Sequence, residues 1–176
     1  MTGCGCKAAE HDLSAKAPGQ TLQPFIPMKT SDTGELRRSL TILHLALCMG
    51  CALFLGVTAF LWNDGAVPMM SGKPVQALSV MGLVSAVGLP VLAILLFRRR
   101  IRSLQPGMDV SELAAGVRQA CIMHWALIEG ALFFNVVVFM LQADVEHWAV
   151  AAGLLVLLVL RAPSERRLQR WMTGTA

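Results

Sequence analysis

The stretch TILHLALCMGCALFLGVTAFLWND, residues 41–64, decides the fold, because 23 residues pass before its first charged residue, Asp64. A helix needs about 20 mainly apolar residues to cross the hydrocarbon core of a bilayer. The stretch therefore predicts a membrane-spanning helix over residues 40–62.

Three further stretches of the chain have the same character. Residues 75–97 contain no charged residue, and residues 120–141 contain one, Glu129. Residues 146–160 form a shorter stretch, which reaches full span if Arg161 extends its side chain to the interface. We therefore expect a polytopic, all-helical membrane protein whose four spans cover 40–62, 75–97, 120–141 and 146–160.

The basic residues are sorted by side of the membrane. Fourteen of the 15 Lys and Arg lie before the first span, between the second and third spans, or after the fourth, and only Lys73 lies in a loop on the other side. By the positive-inside rule, both termini are then cytoplasmic. We expect this sorting to account for most of the net charge of +4, so we expect no nucleic-acid partner.

Composition excludes several other classes of protein. Hydrophobic residues make up 55% of the chain and charged residues only 15%, whereas a water-soluble domain has about 25% charged residues. Disorder across the whole chain, a nucleic-acid-binding domain and a secreted disulfide scaffold all fit poorly. The lipid bilayer is the partner that this composition indicates.

The chain also carries an internal repeat. Residues 41–64 align without a gap with CIMHWALIEGALFFNVVVFMLQAD, residues 121–144, at an offset of 80, and nine of the 24 positions are identical. Each repeat unit would hold two spans. We therefore predict a four-helix bundle of two tandem helical hairpins, related by an axis near the membrane normal.

A stripe of small and aromatic residues recurs in both repeats and predicts a helix contact. Its members share one face of a helix, and small residues four apart let two backbones approach closely in lipid. We expect this stripe to join spans one and three, within the monomer or across a homodimer. Its residues are Ala46, Gly50 and Phe54 in the first span and Ala126, Gly130 and Phe134 in the third.

Glu129 is a buried acid in the middle of the third span. A carboxylate costs about 2.5–3.5 kcal/mol there. One interpretation is a proton relay or ion site, and the other is a protonated acid hydrogen-bonded to a neighbouring helix, for example to Thr58 or Ser85.

Five nitrogen and sulfur donors lie at related depths in the two repeats. Thiolate and imidazole together suit Zn, Cu(I) or iron, and two histidines can be the axial ligands of a haem. The alternative is that the histidines are satisfied core or interfacial residues and the cysteines small hydrophobic ones, with no cofactor. The donors are His44, Cys48 and Cys51 in the first span and Cys121 and His124 in the third.

Both termini lie outside the predicted transmembrane domain, residues 36–161. Residues 1–35 are rich in Gly and Pro and predict a flexible cytoplasmic tail. Residues 162–176 form a basic cytoplasmic tail in which Leu168, Trp171 and Met172 share one side of a helix, which makes it a candidate interfacial helix.

The repeated phrase I-x-H-x-A-L-x-x-G-x-x-x-F resembles small four-span bacterial inner-membrane proteins that carry A-L-x-x-G-x-x-hydrophobic-F segments. The resemblance covers the first and third spans, about a quarter of the chain. It implies a location in the bacterial inner (plasma) membrane and implies no activity.

Three hypotheses for function follow from these patterns. The first is a non-enzymatic interaction protein: a scaffold, assembly factor or accessory subunit that binds other membrane subunits or itself. The second is a redox or metal carrier that uses the five His and Cys donors, and the third is proton- or ion-coupled transport through Glu129. Because the sequence contains no phosphate-binding loop, dinucleotide fingerprint, HExxH motif or nucleophile elbow, we expect no catalytic activity.

Overall fold

The structure, a computed structural model, describes residues 30–66, 73–104 and 108–172. These residues form five α-helices without a strand among them, so the expectation of an all-helical fold is confirmed for this part of the chain. The predicted tail 1–35 lies outside the described residues as far as residue 29, and its remainder is already helical. The helices are α1 (Thr30–Asn63), α2 (Lys73–Ser103), α3 (Val110–Gln142), α4 (Val145–Leu160) and α5 (Glu165–Met172).

Three of these helices, α1, α2 and α3, are long and apolar enough to cross a membrane. Each contains the span predicted for it. The fourth predicted span coincides with α4, which has 16 residues and is therefore about 24 Å long. That length is below the roughly 30 Å of a hydrocarbon core, so α4 is a shorter apolar helix beside three that are long enough to cross one.

The central helix is α3, which contacts each of the other four helices and packs most extensively against α2 and α4. Half of its apolar stretch (50%) is buried inside the protein, against 28% for α1 and 17% for α2. The core of the molecule therefore surrounds α3.

The predicted pair of equivalent hairpins is not reproduced by the packing. Helices α3 and α4 pack against each other as expected, but α1 and α2 have few or no contacts and instead each pack against α3 and α4.

The face with which α1 contacts the core also differs from the predicted stripe. The buried residues of α1 follow one another at spacings of three and four, whereas Ala46 and Gly50 are exposed and Phe54 is half-buried. Spacings of three and four produce one continuous helical seam. The seam consists of Leu36, Leu40, His44, Cys48, Cys51, Leu55 and Thr58.

The two ends of the molecule differ in charge. At one end α1 and α3 begin and α2 and α4 finish, and every one of the 11 arginines belongs to the residues at or near it. We call this the arginine end. At the other, the opposite end, α3 passes into α4 through Ala143 and Asp144 alone.

This connection between α3 and α4 ends one helix and starts the next within two residues. Ala143 has a left-handed backbone with φ 55° and its N–H donates to the carbonyl of Phe139. A carboxylate oxygen of Asp144 accepts the N–H of Glu146 at 3.1 Å. A left-handed residue after a helix and an aspartate before one are the usual end and start signals.

Candidate functional site: an arginine-lined cavity

A cavity of about 550 Å³ opens at the arginine end of the molecule. Its walls are the last turns of α2, the middle of α3, the residue that follows α4, and α5. Small-molecule sites in proteins usually occupy about 300–1,000 Å³, so the cavity is large enough for a ligand.

Five arginines line the cavity, and their positions follow from helix geometry. Two lie four residues apart on α2, one caps the end of α4, and two lie three residues apart on α5, so each pair shares a helix face. Among the described residues that line the cavity there is no Asp or Glu. The arginines are Arg98, Arg102, Arg161, Arg167 and Arg170.

The remainder of the lining is mostly aromatic and aliphatic. The rings of Phe97 and Trp171 meet edge to face with their centroids 4.9 Å apart, which is within the favourable range for an aromatic pair. Ile94, Ile101 and Trp125 complete this apolar surface. The cavity therefore combines a cationic rim with an apolar wall.

The helix α5 forms one wall of the cavity because it is held against the bundle at two points. Leu168 is only 3% exposed and belongs to the hydrophobic core. Arg37 of α1 donates to the carboxylate of Glu165 at 2.9 Å, although both side chains are exposed and such a bridge contributes little. The helix that the sequence predicts in the C-terminal tail is thus present, and it packs on the protein itself.

Two of the five predicted donors, Cys121 and His124, also line this cavity. The imidazole of His124 lies 5.4 Å from the ring of Phe97, and its Nδ1 is buried with no hydrogen-bond partner among the described residues. Nδ1 of His44 is buried in the same way with no partner among the described residues, so this feature does not distinguish the cavity.

The other three predicted donors lie along the core-facing seam of α1. Sγ of Cys48 is 3.6 Å from Nε2 of His44, and the imidazole of His44 packs 4.7 Å from the ring of Trp125. The thiol of Cys51 donates to a carboxylate oxygen of Glu129 at 3.9 Å. His44 thus packs against α3, whereas His124 packs against α2.

The five donors therefore do not converge on one metal site, and a haem at the two histidines stays a prediction. Within the described ranges, no group of three or more His, Cys, Asp or Glu is arranged to hold a metal ion. The equivalent positions in the two repeats place the side chains on different neighbours, because α1 and α3 have different surroundings in the fold.

Glu129 is half-buried, and its partner is different from those predicted. Instead of Thr58 or Ser85, the thiol of Cys51 contacts its carboxylate. The hydroxyl of Thr58 donates to the carbonyl of Leu55 at 2.9 Å, and that of Ser85 donates to the carbonyl of Gly82 at 2.7 Å. Both hydroxyls are satisfied by the turn before them, which is common for Ser and Thr in helices.

The predicted packing stripe is largely open in this chain. Ala46, Gly50, Ala126 and Gly130 are exposed, and a Cβ atom added to either glycine would meet nothing within 4 Å. The ring centroid of Phe54 lies 5.2 Å from that of Phe133. Phe134, the residue of the predicted stripe, is next to Phe133 in the chain and is half-buried. The stripe is therefore not the contact between α1 and α3, and its role in a homodimer stays a prediction.

A buried polar network, which the sequence analysis missed, joins α2, α3 and α4 near the opposite end. Oγ of Ser79 lies 2.7 Å from Nε2 of His147, and Nδ1 of His147 lies 3.1 Å from Oδ1 of Asn135. The amide nitrogen of Asn135 donates to the carbonyls of Gly82 at 3.1 Å and Ala131 at 2.9 Å. The available signal was an amide inside the third span, because polar groups in a span need partners.

Comparison with known proteins gives no further guide, since no family model matches the chain and no curated protein or solved structure matches it.

Proposed function

We propose that this protein binds an anionic amphiphile, a molecule with a phosphate-bearing head and an apolar body, in the arginine-lined cavity. The observation that carries the proposal is the pairing of five arginines with an aromatic wall, with no carboxylate among the described lining residues. Arginine recognises phosphate through two parallel hydrogen bonds, and the apolar wall covers the hydrophobic part of the ligand.

The position of the cavity supports a lipid as that amphiphile. By the positive-inside rule, the arginine end faces the cytoplasm, where anionic lipids attract each nearby basic residue by about 1 kcal/mol. Five arginines correspond to about 5 kcal/mol on that scale. The cavity lies at the end of the apolar stretch of α2, so a lipid headgroup reaches it while its acyl chains remain in the bilayer.

The test measures quenching of the cavity tryptophans by brominated lipid. In a Trp62→Phe, Trp148→Phe background the remaining tryptophans, Trp125 and Trp171, both line the cavity. The nanodiscs contain phosphatidylcholine with about 30% phosphatidylglycerol, a composition that represents an anionic membrane. In these discs brominated phosphatidylglycerol should quench the tryptophan fluorescence strongly. Brominated phosphatidylcholine in the same discs should quench weakly.

Paired charge changes separate the cavity from the general surface. Neutralising Arg98 and Arg167 to Gln should lower the affinity for phosphatidylglycerol about 30-fold, at about 1 kcal/mol each. The matched control changes Arg99 and Arg166 to Gln, which are next to them but do not line the cavity. Equal losses of affinity in both double variants would contradict binding of an amphiphile in the cavity. So would prevention of the quenching by inorganic phosphate alone.

A second candidate function, association with another membrane subunit or with a second copy, is favoured by the open stripe. Ala46, Gly50, Ala126 and Gly130 are exposed small residues, and small residues at a spacing of four are typical of helix contacts in lipid. This arrangement supports the expectation of a scaffold or accessory subunit.

Substitution at the glycines tests this association. Gly50→Leu and Gly130→Leu should abolish a dimer or complex seen by photobleaching of the labelled protein in nanodiscs, because the added side chains separate the backbones. Gly88→Leu is the matched control, since Gly88 is an exposed α2 glycine with equally open space. A protein that is monomeric with and without these changes would contradict a homodimer.

A further inference from the structure

The polar network near the opposite end has the connectivity of a serine nucleophile with its general base. We propose that Ser79, activated by His147 and positioned through Asn135, attacks carboxylic esters of amphiphiles at the membrane interface. The proposal departs from the sequence expectation of no catalysis and does not depend on the cavity at the arginine end.

The direction of each hydrogen bond follows from the donors and acceptors present. Both hydrogens of the Asn135 amide are used by the carbonyls of Gly82 and Ala131, so Oδ1 is left to accept from Nδ1–H of His147. A neutral imidazole protonated at Nδ1 has its lone pair on Nε2. That lone pair lies 2.7 Å from Oγ of Ser79, so the serine hydroxyl donates to it.

These atoms are held firmly by the three helices. The side chains of His147 and Asn135 are 1% and 0% exposed. At Gly82 a Cβ atom would lie 3.1 Å from Cε1 and 3.2 Å from Nδ1 of His147, so the imidazole lies directly against the backbone of α2. A base whose orientation is fixed by a third group is what nucleophilic catalysis requires.

Ser79 is reachable from the membrane, although its partners are not. It is half-buried, and Gln76 and Leu83, which are three residues before and four after it on the same helix face, are exposed. Substrate would approach laterally along this face of α2.

The depth of Ser79 indicates the class of substrate. Ser79 is six residues from the start of α2 at Lys73, or about 9 Å along the helix. An interfacial region of a bilayer is about 5–7 Å thick on each side. The hydroxyl therefore lies near the boundary between headgroups and hydrocarbon, where an amphiphile holds the ester that links its head to its acyl chain.

The proposed reaction proceeds through an acylated serine. Oγ of Ser79 bonds to the ester carbonyl carbon while its proton passes to Nε2 of His147. The bond between that carbon and the alkoxy oxygen then breaks, and Nε2 returns the proton to the leaving alcohol. Water then attacks the acyl carbon and gives a proton to Nε2, the bond between that carbon and Oγ breaks as Nε2 returns the proton to Oγ, and the carboxylic acid leaves with Ser79 restored.

The experiment uses a fluorophosphonate probe, which bonds covalently to base-activated serines, on the full chain in nanodiscs and in detergent. The wild-type protein should be labelled, and peptide mapping should place the label on Ser79. Ser79→Ala should remove the label, whereas Ser103→Ala should keep it, because Ser103 lies on the same helix at the arginine end and its hydroxyl donates to the carbonyl of Arg100. His147→Gln should slow labelling about 10²- to 10⁴-fold, the usual contribution of a general base.

Asn135, a positioning residue, is tested by a conservative rescue. Asn135→Asp, whose neutral form keeps an oxygen that accepts from Nδ1–H and one hydrogen for the carbonyl of Gly82 or Ala131, should retain more of the labelling rate than Asn135→Leu, which should lower it to the level of His147→Gln. Circular dichroism shows whether each variant keeps its helices. Absence of labelling of the wild-type protein, or labelling at a serine other than Ser79, overturns the proposal.

Discussion

Gly82 lies where α2 comes closest to the polar network of α3 and α4. Its own carbonyl accepts from Asn135 and from Ser85, and its missing side chain leaves room for the imidazole of His147. A single residue therefore combines a hydrogen-bond acceptor with a close helix contact, and any side chain there disturbs both.

We expect Gly82→Ala to destabilise the protein by about 1–3 kcal/mol, the usual effect of overpacking, because its Cβ would lie 3.2 Å from Oδ1 of Asn135. Thermal unfolding followed by circular dichroism measures the change. Gly88→Ala is the control: its Cβ meets nothing within 4 Å, so the higher helix propensity of Ala should leave stability unchanged or raise it by up to about 1 kcal/mol. Equal effects at both glycines would show that space at Gly82 is unimportant.

Individual side chains also show where prediction from the sequence reaches its limit. The shared face of His44, Cys48 and Cys51 is visible from their spacing, but which face of α1 meets α3 is not. In lipid the exposed and the buried sides of a helix are both apolar, so hydropathy does not separate them. Asn135 and His147 become partners only once α3 and α4 are placed side by side.

For α1, α2 and α3 the helix limits are predicted well at the opposite end and poorly at the arginine end, whereas α4 ends at Leu160 as its predicted span does. At the opposite end, α1 finishes at Asn63, α2 starts at Lys73 and α3 finishes at Gln142, each within two residues of the predicted span. At the arginine end, α1 starts at Thr30, ten residues before its predicted span. Apolar composition marks the part of a helix within lipid. Arg and Lys are good helix formers, so helices continue beyond the membrane where such residues follow.

The short helix α5 completes the cavity, and Leu168 is its principal anchor. Leu168→Ala should loosen α5 by about 2–5 kcal/mol, the range for removing a buried leucine side chain. Limited trypsin digestion measures this release, because cleavage after Arg166 and Arg167 should become faster. Arg37→Gln removes only the exposed bridge to Glu165 and should change stability by no more than about 1 kcal/mol. Unchanged digestion of Leu168→Ala would contradict the role of Leu168 as an anchor.

The whole molecule poses the question of how many times the chain crosses the bilayer. The end of α4 at Arg161 lines the same cavity as Arg98 and Arg102 of α2, and the indole of Trp148, near its start, donates to the carbonyl of Leu55 at 3.5 Å. Although it is short, α4 therefore runs from the opposite end to the arginine end, and this supports a fourth crossing.

Reporter fusions measure the topology directly. Fusions after residues 105 and 176 should be active as cytoplasmic reporters, and a fusion after residue 68 should be active outside, because the positive-inside rule predicts that the arginine end faces the cytoplasm. If the fusion after residue 176 reports the outer side, α4 does not cross, and the cavity is not formed at a single membrane face.

The two-residue connection between α3 and α4 has a consequence for how the chain is made. Only Ala143 and Asp144 separate the two helices, so neither helix can take its position independently of the other. We therefore expect the pair to leave the insertion machinery together. Asn135 and His147 belong to this same pair and bond to each other, so each shields a polar group of the other from hydrocarbon. We therefore expect the newly made hairpin to enter the bilayer with Asn135 and His147 already matched to each other, whereas the carboxyl of Glu129 depends on Cys51 of α1.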